Sequence, residues 1–148
     1  AAPSLEDTIG AEWRHLETNS LGEWMTYLLL GYGADLAAQL DAYSAGSAAA
    51  GWGGDTYQIY YNDGTGETIM AVHWVWDTQE DADEFLEAML YYQDQRFRGS
   101  KAGRSDRNCW EANRQASCVF TTEAETLWLL APNQTTLNNV LARYSDFS

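Results

Sequence analysis

Apolar and polar positions alternate along this chain at two different periods. Leu21, Trp24, Met25, Leu28, Leu29 and Tyr32 fall three and four apart, the spacing of one helix face. Ser20 followed by Glu23 reads as a capping box at the start of that helix. Gly31 and Gly33 weaken the pattern, but Leu36, Leu40 and Tyr43 continue the stripe until Ala45-Gly46-Ser47 ends it. Residues 45–54 form a small-residue linker. The period then changes to two. Residues Thr56–Tyr61 predict a strand with Tyr57, Ile59 and Tyr61 on one face. Asn62-Asp63-Gly64-Thr65-Gly66 is a hairpin turn, and Glu67–Trp76 is the returning strand. That second strand is apolar on both faces, Met70, Val72, Trp74 and Trp76 against Ile69, Ala71, His73 and Val75, so it should be covered on both sides.

A second helix is expected from Asp77, with Glu80 completing a capping box and Ala82, Phe85, Leu86, Met89 and Leu90 facing inward. After a basic loop, 96–107, another hairpin spans 108–131, with strands near Trp110, Ser117–Thr121 and Thr126–Leu130. Pro132-Asn133 leads into a last helix that buries Leu137, Val140, Leu141 and Tyr144. The order predicts an α+β fold: one antiparallel sheet from two ββα-like units packed with helices, preceded by an N-terminal helix. Residues 1–19 are weakly patterned and read as a leader segment docked on a single domain, 20–148.

At 148 residues and 45% hydrophobic, the chain can bury a core. No run of eighteen apolar residues occurs, so no membrane insertion is expected. Cys109 and Cys118, with eight residues between them in a predicted strand-turn-strand, suit a disulfide outside the cytoplasm. Two buried thiols are the other reading. The opening Ala1-Ala2-Pro3, without Met, suits removal of a signal peptide or of a larger precursor.

The net charge of −14 argues against nucleic acid as a partner. Its distribution says more than its total. Residues 1–95 hold seventeen carboxylates and one cation, Arg14, for −16, whereas residues 96–148 carry +2. Arg96, Arg98, Lys101, Arg104 and Arg107 cluster within twelve positions. This is either a solvated loop beside an acidic body or a basic knob that docks on the acidic face of a neighbour.

Ser20-Leu21-Gly22-Glu23, Ala48–Asp55 (AAAGWGGD), the strand TYQIYYND, and Trp76-Asp77-Thr78 continued by Asp81-Ala82-Asp83-Glu84-Phe85 carry a resemblance. Over Ile9 to Leu141 the chain resembles a family of largely uncharacterised secreted microbial proteins. In longer members a segment of this kind follows a zinc metallopeptidase-like region with an H-E-x-x-H helix. This chain has only His15 and His73 and no such motif, so no zinc ligands carry over. The resemblance implies an isolated C-terminal domain.

Candidate chemistry is sparse. Redox work would want C-x-x-C spacing. No Cys/His cluster has zinc spacing, and His73, mid-strand among aromatics, suits a structural role. Gly51-Trp52-Gly53-Gly54 precedes a strand and lacks the Lys of a phosphate loop, so it reads as a turn with close backbone approach. No motif singles out a catalytic pair among the 22 carboxylates. Calcium near Asp63–Glu67 or Asp81 lacks EF-hand spacing. Asn133-Gln134-Thr135 fits a glycosylation sequon, though Asn133 suits a helix cap. No catalytic residue, metal or other cofactor is expected.

Seven Trp and nine Tyr exceed what a small core needs. The expectation is a non-catalytic, secreted or cell-surface interaction domain that self-associates as a homo-oligomer, with a ring or filament as outcomes. Its expected interface joins Arg96, Arg98, Lys101, Arg104 and Arg107 to Trp74, Trp76, Tyr57, Tyr60 and Tyr61. The alternative is an accessory domain that binds a substrate or polysaccharide for a secreted peptidase-like protein, with aromatics stacking on carbohydrate.

Overall fold

The structure is a computed structural model that describes residues 2–101 and 108–148. Its elements run α1 (Glu6–Ile9), β1 (Trp13–Asn19), α2 (Gly22–Gly31), a 3₁₀ turn (Leu36–Ala38), α3 (Ala42–Ala49), β2 (Trp52–Asn62), β3 (Thr68–Trp76), α4 (Gln79–Arg96), β4 (Cys109–Ala112), β5 (Gln115–Thr122), β6 (Glu125–Ala131) and α5 (Gln134–Leu141). The six strands form one antiparallel sheet in the order β1-β2-β3-β6-β5-β4. The fold is α+β, as the sequence predicts.

The sheet centre follows from the sequence pattern. β3 and β6 are apolar on both faces, and they pair with each other from Met70↔Leu130 to Val75↔Glu125. On one face Val72, Trp74, Trp76 and Trp128 pack beneath α2, α3 and α4, meeting Leu30, Ala45, Phe85 and Met89. On the other, Ile69, Ala71, Leu127 and Leu129 pack beneath α1 and α5, meeting Leu5, Ile9, Leu137 and Val140. Buried indoles need partners for their N–H groups. Trp74 donates to Thr26 Oγ1 at 3.0 Å, Trp76 to Thr126 Oγ1 at 3.1 Å and Trp128 to Ser117 Oγ at 2.8 Å. The aromatic richness is therefore largely core: Trp74, Trp110 and Trp128 are fully buried.

Several local expectations are corrected. The helix begun near Ser20 stops at Gly31, and the stripe through Leu36 and Tyr43 belongs to a 3₁₀ turn and to α3. Residues 42–49, partly read as a linker, are helical because Asp41 caps them, accepting from Ser44 N at 2.9 Å. The predicted Ser20/Glu23 capping box does not form. Gly22 adopts φ +85, a left-handed turn that takes Ser20 out of the capping position. The Asp55 carboxylate, reaching across from β2, accepts from Leu21 N at 2.6 Å and Gly22 N at 2.8 Å instead. The box opening α4 lies one residue later than expected, with Thr78 and Asp81 exchanging hydrogen bonds. Residues read as a leader supply α1 and β1, the edge strand paired with β2.

The two ββα units are not equivalent. After β3 the chain crosses to one face of the sheet as α4, and after β6 it crosses to the other as α5. The likeness between the halves stops at the sheet, and three layers result.

Candidate functional site

Most of the aromatic residues expected at an interface are structural. Trp74, Trp76 and Tyr60 are buried, because β3 is sandwiched and Tyr60 packs under α1. Tyr57 and Tyr61 are half-buried on β2. Desolvation and the Glu17 carboxylate push the Tyr57 phenol above its ordinary value. The expected basic knob is also partly folded in. Arg96, at the end of α4, is half-buried with its guanidinium 5.5 Å from the Phe97 ring centre, 5.7 Å from Trp128 and 6.0 Å from Tyr92. The Lys101 ammonium sits 4.4 Å from the centre of the buried Trp110 ring. Arg98 is exposed, while Arg104 and Arg107 lie outside the described residues. His73 is a structural partner, 2.8 Å from Glu125 Oε2 and edge-on to Phe147.

Two surfaces remain once the core is subtracted. The first is a cleft of about 860 Å³ at one end of the sheet. There the C-terminus of α4, the β2–β3 turn, the β4–β5 turn and the start of the α5 connection converge. Arg96, Arg98 and Arg114 line it, with Asp35 and Glu67. Two of these arginines have left-handed backbone, Arg98 at φ 53° and Arg114 at φ 61°, and Asn113 between β4 and β5 sits at φ 52°. Such values usually belong to glycine and cost on the order of 1–2 kcal/mol in other residues. Three of the four described non-glycine residues with such angles line this cleft; the fourth, Glu123 at φ 48°, lies in the β5–β6 turn.

The second surface is the outer side of the helical layer. Tyr43 is 84% exposed, Leu36 80% and Trp24 68%, with Tyr32 and Tyr91 also more than half exposed. Trp24 stacks on Tyr27 at 5.3 Å, and a hydrogen bond with Tyr32 raises the Tyr27 phenol. Between α3 and α4 runs a groove of about 720 Å³ lined by Leu40, Tyr43 and Tyr91 and edged by Asp41, Glu84 and Glu87. Hydrogen bonds from the Ser44 amide and hydroxyl hold the Asp41 carboxyl below the usual carboxylate range. Sequence reasoning assigned Trp24, Tyr32 and Tyr43 to the core stripe and so missed this surface. The break at Gly31 and Gly33 was the available signal.

Cys109 and Cys118 form a disulfide between facing positions of β4 and β5. Among the described residues no helix is long and apolar enough to cross a membrane, and no group of three or more His, Cys, Asp or Glu side chains could hold a metal ion.

Residues 11–141, from just before β1 to the end of α5, match the family described as a domain of unknown function (DUF8575). The chain belongs to this family. No curated protein and no solved structure matches it. The DUF8575 span takes in the whole sheet, both candidate surfaces and the disulfide. It also takes in β1, all of which falls in the segment read from sequence as a leader. Chemically, the DUF8575 domain offers one cleft rich in guanidinium groups and one aromatic face edged by carboxylates.

Proposed function

We propose that this domain is a non-catalytic interaction module that acts outside the cytoplasm and self-associates head to tail. The aromatic, acid-edged helical face of one copy would meet the arginine cleft of the next. The observation that carries this reading is the exposure of Trp24, Tyr32, Leu36, Tyr43 and Tyr91 in a chain that buries most other large rings. Tyr and Trp are the residues that dominate interface energetics, and an exposed patch of them on a charged protein marks a contact surface. The Cys109–Cys118 disulfide supports an oxidising compartment.

Opposite character on one molecule supports a copy of itself as the partner. The helical face presents Asp41, Glu84 and Glu87, and the cleft presents Arg96, Arg98 and Arg114. The two surfaces are different patches, so the contact is heterologous. It propagates into a ring or a filament and does not close as a two-fold dimer. Buried rings would supply most of the affinity, and exposed ion pairs, each worth about 0–1 kcal/mol, would set orientation.

Sedimentation of wild type from low to high micromolar concentration tests the reading, with growth in size expected. Arg98→Glu with Arg114→Glu should reduce it, as should Tyr43→Ser with Tyr91→Ser. These side chains lie outside both cores, so the fold should survive. Adding Glu84→Lys and Glu87→Lys to the arginine reversals should restore association. A strictly monomeric wild type would refute self-association. If such a monomer bound glycans through the exposed Trp24 stack, the accessory-domain reading would replace it.

A further inference from the structure

We infer that the arginine cleft is an oxyanion-binding site, in which Arg96 holds a carboxylate or phosphate group that Arg98 and Arg114 help to enclose. The first argument is the state of Arg96. Its guanidinium is fixed over three rings, with Nη1 donating to Tyr92 Oη at 3.3 Å and Nη2 to Gln115 Oε1 at 3.2 Å. Both acceptors are neutral. Among the described residues Arg96 has no carboxylate partner, although the chain has 22 carboxylates for eight Lys and Arg. Arg14, by contrast, forms a two-point pair with Asp63, both contacts at 2.9 Å. A planar guanidinium held in place and left without a counter-charge is preorganised for a two-point oxyanion contact.

The second argument is independent of Arg96. Arg98 and Arg114 reach the same cleft from separate turns, and both hold backbone angles that glycine would adopt without strain. Selection for turn stability alone would favour Gly or Asn there. Arg98 donates to the Gln95 carbonyl at 3.2 Å and has only a distant carboxylate, Asp35 Oδ2 at 4.0 Å, and Arg114 has no acidic partner among the described residues. Counting the lining carboxylates Asp35 and Glu67, the cleft is net positive by one charge in a protein of −14. Its volume of about 860 Å³ admits a small polyanion or an acidic side chain from a partner.

This inference deepens the proposed function, since an acidic side chain of a second copy is one source of the oxyanion, and a free anion is the other. The site can be tested apart from self-association. At a concentration where the protein is dilute, NMR would follow the Arg96 side-chain Nε–H and the Gln115 side-chain amide during titration with inorganic phosphate and, separately, citrate. Saturable shifts of both are expected. Arg114→Ala and Arg98→Ala should each weaken binding about tenfold or more, the size of one lost charge-assisted hydrogen bond. Arg96→Lys keeps the charge but removes the fork and should weaken it as much. Shifts that never saturate, or a Gln115 amide shift that persists unchanged in all three variants, would overturn the site. Sedimentation at high concentration with saturating citrate then separates the sources. Loss of association identifies the neighbour's carboxylate as the competitor, and unchanged association identifies a free anion as the occupant.

Discussion

Asp55 offers the sharpest test of how this fold is held. One carboxylate on β2 accepts three hydrogen bonds, from Leu21 N at 2.6 Å, Gly22 N at 2.8 Å and Trp52 Nε1 at 2.8 Å. Two of these satisfy the orphan amides at the start of α2, and the third fixes the indole that begins β2. Replacing a helix-capping acceptor with Ala costs about 0.5–2 kcal/mol. Loss of the negative charge at the helix start adds about 0.3–1 kcal/mol. The half-buried Trp52 N–H left without its partner adds on the order of 1 kcal/mol. Asp55→Ala should therefore lose roughly 2–4 kcal/mol, and Asp55→Asn, which keeps one acceptor oxygen, about half of that. Urea unfolding with matched slopes gives the difference directly. Ser20→Ala is the control. The sequence predicts a cap at Ser20, the structure has none, and the substitution should fall within about 0.5 kcal/mol of wild type. An Asp55→Ala midpoint indistinguishable from wild type, or a Ser20→Ala loss as large as that of Asp55→Ala, would refute the long-range cap.

Two further outcomes are expected. Cys109→Ser with Cys118→Ser should lower stability by about 2.5–3 kcal/mol from the loop of nine residues' separation, and native wild type should resist alkylation until it is reduced. The Arg14 guanidinium holds the Asp63 carboxyl below the ordinary carboxylate range. A folded-state pKa below the unfolded one means that its stabilisation is complete above the ordinary carboxylate pKa and is lost as the pH falls through the folded one. The Asp63 carboxyl carbon should accordingly titrate at lower pH in wild type than in Arg14→Gln, and equal midpoints would remove the ion pair.

The parts of the fold that were legible in the sequence are those set by local chemistry and period. The two-sided strand at Glu67–Trp76, the Asn62–Gly66 turn, the Asn133 cap and the inward face of α5 were all readable there, and Asn133 does accept from Thr136 N at 2.8 Å. What failed depended on partners distant in sequence. Asp55 lies 34 residues from Leu21, and nothing local marks it as a helix cap. Gly51 was read as a close approach. The group that approaches is the Asp81 side chain, which would collide with any added Cβ. The helical stripe kept its period across the break at Gly31, so Tyr43 and Leu36 counted as core although they face solvent. The candidate site was half legible: the charge split pointed to Arg96 and Arg98, but Arg114 joins them only through the sheet, and Trp74 and Trp76 were taken for surface because burial on two faces was not carried through to the interface.

The placement of β3 beside β6 also governs how the chain reaches its native state. These strands are the middle of the sheet, yet their paired residues lie far apart in sequence, Met70 and Leu130 by 60 positions. Neither core can close until β6 has arrived, because each face of β3 is completed by residues of β6 and of helices on both sides of it in the chain. A nascent chain that ends after α4 holds a three-stranded sheet with one unpaired, strongly apolar edge, the kind of edge that recruits other strands. Folding should thus be a late, single, cooperative event with high contact order, slower than its helix content suggests. The same arrangement makes the domain indivisible, since cutting between α4 and β4 leaves neither piece with a finished face.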